Sequence, residues 1–489
     1  MPQFKFIVYI VFFALFFSAC RIDPLVIDLE ASNYPKPVGK IILNKCATSG
    51  CHNDISKEAA SGLSLSSWEK MFEGTRNGVT VIPFNHAQST LFLYTNTYPE
   101  LGISNKPVMP FNDSALTIDE VKLLQKWIDE GAPNAKGDFY FKDDANASRI
   151  YVTNQGCDLV TVFDAKTKLP MRYIKVGNSP DIESPHYIKV SPDGKYWYVV
   201  FTNGTALQKY RTIDNSFVAE ANLGAGIWNT FTISNDGKKI FAVDWSANGK
   251  VFYIDTETML VKRKYQGNGL FNYPHGCTLS KNDSVLYVTA QTGNFFYKID
   301  VGNPMAPDFE DSEVVLDENT MPLSASILDI HEIVFTPDYS SYVVTCQKTN
   351  DVRFVNAKTN KVEAIVQTGI YPQELVFSTS NDYLFVSCPE DTLAFPGSRG
   401  CVSVINYKTK TLVKNIYTGS QPHGLAIDEK NKLVYVTNRN TTSDGPAPHH
   451  TTECGGRNGY VTTIDLNTLE LVGKKIEVSV DPYSVAVKK

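Results

Sequence analysis

The residues with the plainest chemistry lie near the front of the chain, in Lys45-Cys46-Ala47-Thr48-Ser49-Gly50-Cys51-His52-Asn53. Two thiols followed at once by an imidazole are what covalent haem attachment requires. Each sulfur adds to one porphyrin vinyl group, and the histidine lies under the iron as its fixed axial ligand. Four residues separate Cys46 from Cys51 instead of the usual two, and Gly50 helps the longer loop to bulge. The competing readings are a disulfide and half a zinc site. Against zinc, the neighbouring sequence holds no second ligand pair at the expected spacing.

A distal ligand to such an iron is expected from Met109 in Lys106-Pro107-Val108-Met109-Pro110, where prolines stiffen the loop and the thioether is a soft donor. A His/Met pair raises the reduction potential, which suits an electron carrier. Met109 as a core filler is the plainer alternative. His86, in the polar turn Asn85-His86-Ala87, is the rival ligand.

Four further histidines, His186, His275, His331 and His423, recur at one place in a repeated phrase, where the other copies carry Asn229, Gln373 and Tyr483. Eight histidines in 489 residues predict about 0.1 histidine at seven chosen positions, so four is a large excess. Converging imidazoles suit copper, zinc, iron or nickel, so the four are a candidate second metal site, with copper among the choices. The plain alternative is a histidine serving each time as a turn residue that bonds the neighbouring repeat's backbone.

The elements that must position these groups differ along the chain. Val38-Gly39-Lys40-Ile41-Ile42-Leu43 reads as a short apolar helix entering the Cys-His motif. Thr117-Ile118-Asp119-Glu120 is a capping box, and Val121, Leu124 and Ile128 follow on one helical face until Gly131 and Pro133 end it. Beyond a polar stretch over residues 139–147, one strand phrase repeats seven times. Its copies are Ile150-Tyr151-Val152-Thr153-Asn154, Trp197-Tyr198-Val199-Val200, Ile240-Phe241-Ala242-Val243, Leu286-Tyr287-Val288-Thr289, Tyr342-Val343-Val344-Thr345, Leu384-Phe385-Val386-Ser387 and Val434-Tyr435-Val436-Thr437-Asn438. Each is flanked by an earlier strand and two later ones, which predicts seven four-stranded blades around a channel. The first repeat lacks its inner strand, and Tyr483-Ser484-Val485-Ala486-Val487 is an inner strand lacking a blade, so pairing the two closes the ring.

In such a blade the loop between the second and third strands shares a face with the start of the inner strand. The two longest of these loops, residues 388–400 and 438–459, are therefore expected to overhang the histidine ring. They carry or adjoin Cys388, Cys401, His449, His450 and Cys454. Cys388 and Cys401 bracket one loop and suit a disulfide clamp; His449 and His450 are extra candidate ligands or a solvated pair. Cys157, Cys277 and Cys346 have no evident role.

Composition narrows the classes. A net charge of −6 with no basic run excludes a nucleic-acid surface. There is no recognisable Ser/His/Asp triad, carboxylate pair or Gly-rich phosphate loop. At the N-terminus, Lys5 precedes an apolar run over residues 6–17 and then Ser18-Ala19-Cys20. The run is short for a membrane span, and small residues before a cysteine mark a processing site, with an uncleaved anchor helix as the alternative. Either reading places the rest of the chain outside the cytoplasm, where disulfides persist.

Five resemblances follow from these motifs. Residues 1–20 resemble a bacterial lipoprotein signal, which implies an acylated Cys20 and a lipid anchor at the periplasmic or cell-surface side of a membrane, expected to be the outer one. Leu63-Ser64-Leu65-Ser66-Ser67-Trp68, Val81-Ile82-Pro83, Met109-Pro110 and Trp127-Ile128-Asp129-Glu130-Gly131-Ala132-Pro133, together with the Cys-His motif, resemble the cytochrome c domain of exported planctomycete and Bacteroidetes proteins. That resemblance implies haem c on Cys46, Cys51 and His52 with Met109 as distal ligand. The repeats resemble the YVTN family of β-propellers. A histidine ring at a propeller mouth is also similar, in outline, to the copper site of nitrous oxide reductases, and a cytochrome before a propeller to haem-containing nitrite reductases.

The expected fold is thus multidomain, with a small all-α cytochrome c domain over residues 34–138, a linker over 139–147 and an all-β seven-bladed propeller over 148–489. The expected function is electron transfer through haem c, with a redox protein as partner and a periplasmic oxidoreductase as the enzymatic version. The alternative is a binding module in which the propeller docks protein or glycan and carries a tethered electron carrier.

Overall fold

A computed structural model describes residues 28–265, 271–303, 311–319, 321–452 and 454–488. The signal segment and Cys20 lie outside the described residues. No helix within them is long and apolar enough to cross a membrane.

Seven four-stranded antiparallel sheets are arranged as blades. We number the blades in chain order. Blade one contains Arg149–Asn154, Leu159–Asp164 and Leu169–Lys175, and its inner strand is the C-terminal Pro482–Lys488. The inner strands of blades two to seven are Pro185–Val190, Trp228–Ile233, Pro274–Leu279, Ile330–Phe335, Leu375–Phe377 and Pro422–Asp428. These inner strands contact one another around the ring. The repeated phrase is the second strand of every blade. Arg149–Asn154, Ser341–Cys346 and Leu433–Asn438 are buried at every position, because sheets of adjacent blades cover both faces. Outer strands such as Leu260–Tyr265 alternate and face solvent. Between neighbouring blades lie apolar layers, for example Tyr198, Trp228, Phe231, Ile240 and Phe252 between blades two and three.

The ring closes as the unmatched ends require: Ile150 pairs with Val487 and Val152 with Val485. A disulfide between Cys157 and Cys454, 297 residues apart with Cα atoms 5.3 Å from each other, fastens the blade-one hairpin to the long blade-seven loop. Neither cysteine had a structural role assigned from sequence. Such a crosslink contributes about 2–4 kcal/mol by restricting the unfolded chain.

The expectation of a separate all-α cytochrome c domain is corrected. The described chain is almost all β, with four short helices: α1 Lys36–Lys45, α2 Trp68–Phe72, α3 Thr90–Thr95 and α4 Ile118–Asp129. The capping box forms, with Glu120 N–H donating to Thr117 Oγ1 and Thr117 N–H to Glu120 Oε2. Val121, Leu124, Trp127 and Ile128 are buried beneath it. That apolar face does not close on itself. It continues through Phe72 and Phe141 into Tyr151, Val160, Met171, Val176 and Trp197 of blades one and two as one core. Helices of five to twelve residues enclose too little volume to stand alone, so the layer leans on the propeller rim. Residues 139–147 take part in this packing: Tyr140 stacks on Phe72 at 4.5 Å and Phe141 is buried.

Candidate functional site

The channel mouth is built by a device repeated in the inner strands. In six of seven blades a residue with left-handed backbone (Ser184, Tyr273, Asp329, Tyr371, Gln421, Asp481) stands two positions before the ring residue. In five of these the residue between is proline, which at a strand start sacrifices no ladder donor. The strand then bulges beside the ring position, as between Pro185 and Tyr187, Pro274 and Cys277, Ile330 and Ile333, and Pro422 and Leu425. Bulges re-aim side chains. Here they accompany the ring residues Tyr483, His186, Asn229, His275, His331 and His423, while Gln373 stands just before an inner strand without a bulge.

Bonds between neighbouring blades come chiefly from the ring residues' main chain, and among the imidazoles His186 reaches the next blade through its side chain. Thr289 Oγ1 donates to His331 O at 2.9 Å, Thr345 Oγ1 to Gln373 O at 3.0 Å and Thr437 Oγ1 to Tyr483 O at 2.7 Å. Thr230 Oγ1 holds His275 O in the same way. This leaves the ring side chains short of partners. His275 Nδ1, His331 Nδ1, both nitrogens of His423, Asn229 Oδ1 and Gln373 Oε1 are buried with no hydrogen bond. Buried polar atoms in folded proteins almost always have partners, so five unsatisfied positions on one axis mark a place for solvent, an ion or a ligand.

The four histidines do not form one equivalent set. His275 and His331 lie against each other with centroids 3.7 Å apart and ring planes tilted by 39°. His186 and His423 stack instead on the two sides of Tyr483, at 4.2 and 3.6 Å. His186 Nδ1 also meets Gln155 Oε1 at 3.0 Å. Desolvation is the largest influence on all four and holds their pKa values below the ordinary imidazole range. They are therefore neutral donors at neutral pH.

Sequence reading missed Glu332, which follows His331 and is 3% exposed. Its Oε1 accepts from Ile333 N–H at 3.0 Å, and its Oε2 is buried without a partner. The ligand atoms of His275, His331 and Glu332 lie within 4.8 Å of one another. Burial raises the carboxyl pKa, while the Lys189 ammonium opposes the rise. The signal available in the sequence was an acid at an inner-strand position; Glu374 follows Gln373 in the same way, and burial together with Glu332 raises its pKa too.

The overhanging loops bring less than expected. Cys388 and Cys401 are direct cross-strand partners, but both are free thiols and no clamp forms between them. His449 and His450 are taken up by Glu477, at 2.9 and 3.1 Å, away from the ring. Their loop reaches the helical layer instead: Tyr94 hydroxyl donates to His449 O, and Thr451 Oγ1 to Asn105 Oδ1 at 2.8 Å.

In that layer Cys46 is buried, Cys51 is exposed, and both are free thiols. Burial, then the neighbouring Cys51, pushes the Cys46 thiol up to about 12. His52 N–H donates to Cys46 O at 3.0 Å and Leu65 N–H to His52 O at 2.8 Å, which fixes the turn. His52 Nδ1 is buried without a hydrogen bond. Met109 is half-buried, and its N–H donates to Tyr94 O, tying its loop to α3 rather than to the Cys-His turn. His86 is committed to α4 through Asp129 (2.8 Å) and Gln125 (3.1 Å) and is not a free ligand. Ile55 and Phe111, close in sequence to His52 and Met109, are 78% and 62% exposed. Two free thiols and an imidazole with an unpaired ring nitrogen thus occupy one turn of this layer.

No family model matches the chain, and no curated protein does. Solved structures show the fold alone. A functionally unknown protein from Desulfotomaculum acetoxidans DSM 771 superposes with a TM-score of 0.52 at 13% identity, covering 69% of this chain and 98% of its own. Kuenenia stuttgartiensis hydrazine synthase gives 0.48 at 17% identity, over 64% of this chain and 91% of its own.

Proposed function

We propose that this chain is an exported electron-transfer protein in which Cys46 and Cys51 carry covalent haem, His52 is the fixed axial ligand and Met109 the distal one. Haem so held supplies one-electron transfer at a raised potential. The observation that carries the reading is the pair of free thiols beside His52, whose Nδ1 has no partner, in a chain where Cys157 does find Cys454. That disulfide also supports export, since such bonds persist outside the reducing cytoplasm. The reading needs no self-contained helical domain. Helix α1 and the Lys45–Glu120 ion pair (2.8 Å) steady the near side of the Cys-His turn. Tyr94 holds both the Met109 backbone and the propeller loop at His449, so the proposed distal loop is tied to the face of blade seven that carries this loop. A redox protein docking on that face would sit beside it, and the lipid on Cys20 would keep the pair at a membrane.

The test is intact mass and a reduced visible spectrum of protein matured with a haem-attachment system. The expected result is one covalent haem that survives denaturation, lost in its normal two-point form in Cys51→Ala. Met109→Ala should keep the haem but lower its potential. A colourless product with free thiols at Cys46 and Cys51 overturns the reading.

A further inference from the structure

The channel mouth holds a second set of donors that the haem reading does not use. We propose that His275, His331 and Glu332 bind a divalent first-row transition ion inside the propeller, independently of the helical layer. Two imidazoles and one carboxylate are a common three-ligand set for such ions, and they leave a position open to solvent or a small ligand.

Three observations carry this. The first is proximity: all three ligand atoms lie within 4.8 Å of one another, and the three residues are buried. The second is want of partners. His275 Nδ1, His331 Nδ1 and Glu332 Oε2 each lack a hydrogen bond, and His331 is only 2% exposed. A buried polar atom left unpaired is unfavourable, so an ion held by these three residues would satisfy donors that scattered contacts leave without a partner.

The third is preorganisation. Thr230 and Thr289 hold the carbonyls of His275 and His331, and Glu332 N–H donates to Thr345 Oγ1 at 2.9 Å. Ile333 N–H occupies Glu332 Oε1 and leaves Oε2 as the free donor. Gly276, between His275 and Cys277, lets the carboxylate cross to blade four. A Cβ there would lie 2.6 Å from His331 O and 2.7 Å from Glu332 Oε1. Ligand backbones are thus fixed before any ion arrives, which is what a tight site needs. His186 and His423 belong to the Tyr483 stack and not to this set.

The experiment uses the full propeller chain with Cys46→Ala and Cys51→Ala, so that haem iron is absent and failure of the haem reading cannot mimic failure here. Protein stripped by chelator is titrated with Co(II), followed by its visible d–d bands, and with Zn(II), followed by elemental analysis after gel filtration. About one ion per chain is expected, with binding abolished by His331→Ala and weakened at least about tenfold by the near-isosteric Glu332→Gln. Circular dichroism confirms folding, and Glu332→Gln carries the test if His331→Ala does not fold. Absence of binding to the parent protein, or binding that neither substitution changes, overturns the proposal.

Discussion

Replacing Gly276 by alanine adds one methyl group and removes no donor atom. Its backbone φ lies outside the left-handed region, so space alone opposes the change. The new Cβ would sit 2.6 Å from His331 O, 2.7 Å from Glu332 Cα and 2.7 Å from Glu332 Oε1. Ordinary contact needs about 3.5 Å, so the blade-five strand must retreat by roughly 0.9 Å. Overpacking of this kind costs about 1–3 kcal/mol. Gly424 supplies the control, because it follows His423 as Gly276 follows His275. There a Cβ would lie 2.4 Å from Tyr483 O and 3.0 Å from Ser484 Cα. Both variants should lower the urea midpoint by similar amounts when followed by tryptophan fluorescence. Only Gly276→Ala moves Glu332, so it alone should weaken Co(II) binding, by about tenfold or more. A Gly276→Ala protein with unchanged midpoint and unchanged Co(II) affinity would refute the close approach of the two inner strands. Equal loss of Co(II) binding in both variants would show a general loosening of the channel instead.

Two other outcomes are expected. Cys454→Ser should cost about 2–4 kcal/mol in denaturant unfolding, and reductant should lower the parent to the same stability while leaving the variant unchanged; equal stability of parent and variant would deny the bond a role in closing the ring. His423, 1% exposed, is held neutral chiefly by burial, then by Arg439, His186 and His275. Its folded pKa is depressed, so the unfolded chain binds the proton more readily: stability is whole above about pH 6.5 and falls with acid by up to about 1.4 kcal/mol per pH unit. His423→Gln should flatten the slope of unfolding free energy between pH 4 and 6.5, and an unchanged slope would show that His423 is already solvated.

Legibility in the sequence followed how local each constraint is. The seven copies from Ile150-Tyr151-Val152 to Val434-Tyr435-Val436 announced the blades, since a doubly covered strand must be apolar throughout. The unmatched strand at Tyr483 announced closure. The capping box at Thr117 and the buried face of Val121, Leu124 and Ile128 were readable for the same reason, because their partners lie within a few residues. The independence of the helical layer was not readable. Nothing local shows that the core under α4 runs on into Met171 and Trp197, and that continuity turned an expected domain into a rim layer.

The site divides along the same line. Sequence alone determined that one repeat position carries four histidines in seven copies, because a periodic chain places equivalent residues equivalently. Only the tertiary structure decided how they pair. Tyr483 separates His186 from His423, His275 meets His331, and Glu332 joins them across Gly276. It also decided that Cys157 reaches Cys454 while Cys388 and Cys401 stay reduced. Repetition specifies direction around the axis, but which side chains touch depends on contacts between different blades, and that distance is invisible along the chain.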